Sequence, residues 1–120
     1  MKQTLIITCE LPDLNSIIQS SKISPYKYAK SKKGYDSIVS AFAKEKLKPI
    51  TKYPVDIYCH WVVKNKKKDP DGISAGTKFL LDGLVKAGIL SNDNFAAINS
   101  IHHSFEVDSI NPRIEVILSY

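Results

Sequence analysis

Two aspartates one residue apart, Asp69-Pro70-Asp71, directly follow the lysine run Lys64, Lys66, Lys67 and Lys68. Carboxylates are hard oxygen donors, and Mg²⁺ takes one or two of them together with water and phosphate oxygens. Pro70 fixes its own φ and disfavours helix at Asp69, so extended backbone is expected here. Side chains two apart in such a segment point the same way, about 6–7 Å apart along the strand. Further acids follow at Asp82 and at Asp93, inside Asn92-Asp93-Asn94. Lys78 lies four residues before Asp82, on the same face of a helix. Joining Asp93 to the first pair requires the chain to fold back along the sheet. Simpler roles stand beside these. Asp71 suits a helix N-cap, Asp93 suits a turn, and Lys78 with Asp82 suits an exposed ion pair.

Other chemistry-bearing residues point to packing. His102 and His103 are adjacent in a strand-like run, so they face opposite ways and do not readily share a metal. Trp61 alternates in phase with apolar residues and reads as core. Cys9 and Cys59 are the only cysteines, too few for a disulfide framework or a four-thiolate zinc site. Both lie in apolar alternating runs and read as reduced and structural. No Ser/His/Asp arrangement and no phosphate-cradling glycine loop is evident.

The elements that must position the acids follow from periodicity. Gln3 to Leu11 alternates as a first strand, which Leu11-Pro12-Asp13-Leu14-Asn15 ends. A helix is expected from Pro25 to Lys46, with Ile38, Val39, Ala41 and Phe42 as its apolar stripe. Tyr53 to Val63 reads as a strand, with Val55, Ile57, Cys59, Trp61 and Val63 on one face and Asp56, Tyr58 and His60 on the other. A second helix is expected from about Ile73 to Ala87, with Gly88 as its C′ residue. Strands from Ile98 to Val107 and from Arg113 to Leu118 then read as an antiparallel hairpin. The order β-α-β-α-β-β predicts a single α/β domain with helices on one mixed sheet.

Composition narrows the class. The 120 residues suit one domain whose modest core would gain from dimerisation. A hydrophobic fraction of 43% and a charged fraction of 24% are globular values. No apolar run approaches the roughly 20 residues that span a bilayer, and Met1-Lys2-Gln3-Thr4-Leu5 does not begin a signal peptide, so a cytoplasmic protein with no membrane partner is expected. The net charge is +5, and every cation except Arg113 is lysine. Lysines suit diffuse attraction to phosphates better than bidentate reading of base edges. Besides the run before Asp69, a second basic block comprises Lys22, Lys27, Lys30, Lys32 and Lys33.

Taken in order, Asp69 and Asp71, Lys78, Asp82-Gly83-Leu84, Ala87-Gly88-Ile89-Leu90 and Asn92-Asp93 resemble the central motif of the RusA-type Holliday junction resolvases. These are small dimeric endonucleases of bacteria and their prophages. Leu11-Pro12-Asp13-Leu14-Asn15 is similar to the family's segment after strand one. Tyr26, Tyr28, Ala29 and Lys30 with Lys32-Lys33 resemble its basic stretch, and Asn111-Pro112-Arg113-Ile114-Glu115-Val116 its last strand. The resemblance implies a homodimer that resolves four-way DNA junctions in recombination and repair. It implies Mg²⁺ or Mn²⁺ held by Asp69, Asp71 and Asp93, with Lys78 beside the scissile phosphate. Lys30, Lys32, Lys33, Lys64, Lys66, Lys67 and Lys68 would follow the DNA backbone. Gly72 stands where the family commonly has Asn, so an alternative expectation is a junction- or nucleic-acid-binding protein of the same fold that cuts poorly.

Overall fold

The computed structural model describes residues 1–13, 16 and 25–120, with side chains from residue 34 onward in the first helix. Four strands, β1 (Lys2–Ile7), β2 (Val55–Val63), β3 (Ile98–Val107) and β4 (Arg113–Ser119), form one mixed sheet in the order β1-β4-β2-β3. Among the described residues, helices α1 (Pro25–Lys46), α2 (Pro70–Ser74) and α3 (Thr77–Lys86) accompany them. The α/β class, the single domain and the mixed sheet are as the periodicity predicts.

The core lies on the face of the sheet that carries Leu5 and Ile7 of β1, Val55, Ile57, Cys59 and Trp61 of β2, and Ile114, Val116 and Leu118 of β4. Alternation puts these side chains on one side because successive strand residues point to opposite faces. Val39 and Ala43 of α1 and Phe79, Leu80 and Leu84 of α3 close the core from above. The buried stripe of α1 is therefore Val39 and Ala43 with Phe42 beside them, while Ile38 and Ala41 are exposed. That is a rotation from the predicted stripe. Its cause is Gly83 of α3, where a Cβ would lie 2.5 Å from the Val39 side chain. The missing side chain lets the two helices meet closely at Val39.

β1 ends at Ile7, before the predicted limit, although Leu11 is still buried. The helix expected from Ile73 to Ala87 is divided into α2 and α3. The division has a local reason. Gly76 N–H donates to the Ile73 carbonyl at 3.1 Å, and Thr77 Oγ1 donates to Ser74 O at 2.6 Å, so the turn tightens here. A Cβ at Gly76 would stand 3.2 Å from both Leu11 and Trp61, which holds this turn against the sheet. Gly88, with φ of 77°, ends α3 in the left-handed conformation expected of a C′ glycine.

The predicted hairpin is not formed. β3 pairs in parallel with β2 at the sheet edge, whereas β4 lies antiparallel between β1 and β2. Ile114, Val116 and Leu118 of β4 are buried on the core face of the sheet. Residues 108–112 cross the end of β2 instead of making a tight turn. Asp108 N–H donates to Val63 O at 2.8 Å, and Asp108 Oδ1 accepts from the N–H groups of Ile110 and Asn111 at 3.0 and 3.2 Å.

Candidate functional site

β1 and β2 are each antiparallel to β4, so their carboxyl ends lie at the same end of the sheet. The chain leaving β2 there carries the lysine run and then Asp69-Pro70-Asp71. Asp69 occupies the N-cap position of α2 with extended backbone (φ −80°, ψ 151°), and its side chain makes no capping hydrogen bond. Pro70 opens the helix, which suits a residue lacking an N–H. Asp71 is thus already inside the first helical turn, and the extended conformation reaches only as far as Asp69. The expected extended pair is corrected to one carboxylate before the helix and one within it. Asp71 Oδ1 accepts from Gly72 N–H at 2.9 Å. Both aspartates are exposed, and carboxylates at a helix N-terminus are favoured by its partial positive charge.

Lys64, Lys66 and Lys67 are exposed on the approach to this pair. Lys68 is engaged instead. Its Nζ lies 2.9 Å from Glu10 Oε1 and 3.9 Å from Asp13 Oδ2. Asp13 is buried, at 8% exposure, and Ser16 holds its carboxyl below the usual carboxylate range, chiefly through hydrogen bonding, with Lys68 adding a charge contribution. Glu10 holds the Lys68 ammonium above its ordinary pKa, again chiefly by hydrogen bonding. Lys78 forms the anticipated ion pair within α3, 3.5 Å from Asp82 Oδ2.

Asp93 is elsewhere. It sits in the loop before β3, where Ser91 N–H donates to Tyr53 Oη at 2.8 Å and Val55 N–H donates to Ala97 O at 2.8 Å. Those contacts place the loop at the amino end of β2. The strand's nine residues, at about 3.3 Å each, set that end roughly 25 Å from the carboxyl end. Asp93 is thus not brought to Asp69 and Asp71 within one chain. Among the described residues, no group of three or more His, Cys, Asp or Glu side chains is gathered so as to hold a metal. Within one chain, the three carboxylates that the resemblance names are therefore not gathered at one point. Asp69 and Asp71 do offer the donor chemistry of a Mg²⁺ site completed by substrate phosphate and water.

Lys30, Lys32 and Lys33 fall in α1, but their side chains lie outside the described residues, as does Lys22. Glu10 and Asp13 lie at the same end of the sheet as Asp69, and sequence reading did not assign them a site. The available signal was a Pro-Asp pair directly after the first strand. Histidine placement follows the expected alternation: His102 stacks on Tyr58 with ring centroids 4.6 Å apart, while His103 Nδ1, on the opposite face, accepts from Trp61 Nε1 at 3.0 Å.

No protein-family model and no curated protein matches the chain. Among the described residues no helix is long and apolar enough to cross a membrane.

Proposed function

We propose that this chain is a metal-dependent endodeoxyribonuclease that cuts four-way DNA junctions, acting as a homodimer with Mg²⁺ or Mn²⁺. The observation that carries the reading is the exposed sequence Lys64, Lys66 and Lys67 running into two exposed carboxylates at one end of the sheet. Lysines there would hold backbone phosphates, giving salt-dependent affinity with little base selectivity. Asp69 and Asp71 would hold the metal against the scissile phosphate. A metal bound there would supply Lewis-acid polarisation of the phosphoryl group and a lowered pKa for its water. Lys78 would offset negative charge growing on the phosphate, its ammonium fixed meanwhile by Asp82. A twofold dimer would present two such ends to a four-way junction, matching paired nicks.

The distance between Asp93 and the Asp69/Asp71 pair favours one second reading: a junction-binding protein that cuts weakly. A synthetic four-way junction incubated with Mg²⁺, with Mn²⁺ and with chelator separates the two, because only the enzyme converts binding into metal-dependent nicks.

A further inference from the structure

Beside Lys68 the same end of the sheet opens into a cleft of about 110 Å³. A single water requires only about 10–15 Å³ of such space, so the cleft holds a ring-sized group. Its lining includes the apolar Leu11, Trp61, Val63, Ile73 and Ile114 and the cations Lys64, Lys68 and Arg113. Arg113 is fixed by Glu115 at 2.8 Å and by the Asn111 carbonyl at 2.8 Å, and Lys68 by Glu10, so two of these cations are already in place before any ligand arrives. The Trp61 N–H is already engaged, donating to His103 Nδ1 at 3.0 Å. Asp13 and Glu10 also line the cleft, their carboxylates engaged with Ser16 and Lys68. Ile73 belongs to α2, the helix that carries Asp71, so the cleft adjoins the aspartate segment.

A lining of apolar groups and cations suits a ligand that is planar and apolar in one part and anionic in another. We propose that this cleft is a nucleotide subsite, which takes one unstacked base of a DNA strand while Lys64 and Arg113 face its phosphate. The inference rests on the nucleic-acid reading above and deepens it by naming the unit held beside Asp69 and Asp71. Unstacking is least costly where bases are already unpaired, so strand exchange points are the favoured source.

The sequence contains its own probes. Trp61 is the only tryptophan, and Cys9 lines the cleft. Cys59 is buried with its thiol pushed up to about 12 by desolvation, so it does not compete for thiol reagents at neutral pH. The test measures Trp61 emission and the rate of Cys9 alkylation while deoxyadenosine or deoxycytidine monophosphate is titrated into the full chain without metal. A saturable emission change is expected. At about ten times the Kd, occupancy by mass action should slow alkylation roughly tenfold. A bulky maleimide on Cys9 should abolish the emission change.

Unchanged emission and unprotected Cys9 at millimolar nucleotide would overturn the proposal. So would inorganic phosphate acting as well as the nucleotide, since the base would then contribute nothing. An emission change that persists after complete Cys9 alkylation would also overturn it, by placing the nucleotide outside the cleft. The assay scores no cleavage, so nucleotide binding without junction cutting would remove the enzyme reading and leave the subsite standing.

Discussion

Lys68 Nζ meets Glu10 Oε1 at 2.9 Å, joining the chain that leaves β2 to the chain that leaves β1. Asp13 completes the cluster from its buried position, with Ser16 hydrogen-bonded to its carboxylate. The Asp13 carboxyl is held below its ordinary pKa, so its contribution to stability is present above the unfolded value of about 3.9. That contribution is lost as pH falls through the lower folded-state value. Thermal unfolding of the native chain should therefore lose stability below about pH 4 more steeply than D13N. Identical acid profiles for the two proteins would show that the Ser16 and Lys68 contacts do not stabilise the fold.

Gly83 is where α3 meets Val39 of α1, and a Cβ there would fall 2.5 Å from that side chain. G83A should destabilise the protein by about 1–3 kcal/mol, the usual cost of overpacking a core. Urea unfolding measures it, and an unchanged midpoint would mean that the helices are not seated as described.

Trp61 Nε1 donates to His103 Nδ1, which requires an unprotonated nitrogen on the imidazole. Burial, with a smaller contribution from His102, lowers the His103 pKa. A histidine with a depressed folded-state pKa costs stability as pH falls below its unfolded value of about 6.5 and through the folded value. Trp61 emission should shift across that acid window and lose the shift in H103Q, whose amide cannot titrate. A shift that persists in H103Q would assign the titration to another group.

Asp93 stands at the far end of β2 from Asp69 and Asp71. D93N should therefore keep junction cutting within about threefold of the native rate, a change of under about 1 kcal/mol in the barrier. A loss as large as that of D71N, restored when the two variants are mixed, would instead mean that Asp93 serves the aspartate pair of a second copy.

Much of the architecture was legible in local pattern. α1 and β3 begin and end where the periodicity set them, and the alternation of β2 names its buried face. Strand order was not legible, because alternation says which face is buried and not which strand is the neighbour. The pairing of β4 with both β1 and β2, and of β3 with β2 alone, depends on contacts between distant segments that alternation does not encode. The break between α2 and α3 depends on Gly76 lying against Leu11 and Trp61, a tertiary contact that helix propensity does not encode. Of the site, the lysine run and Asp69-Pro70-Asp71 were visible because they are contiguous. The bond from Lys68 to Glu10 spans 58 residues, and nothing in either segment alone announces it. For Asp93 the family resemblance names a partner in the acidic site, while the topology of one chain sets it at the other end of β2 from Asp69 and Asp71.

Junction cleavage by the native chain and by D71N, each in Mg²⁺, in Mn²⁺ and in chelator, tests the proposed enzyme most directly. Asp71 is exposed in the first turn of α2, so its replacement by Asn should leave folding and junction binding intact. The expected result is paired symmetric nicks that need metal and fall at least about a hundredfold in D71N, roughly 2.7 kcal/mol of barrier. Tight junction binding with no nicks from the native chain in either metal would contradict the nuclease and leave a DNA-binding protein.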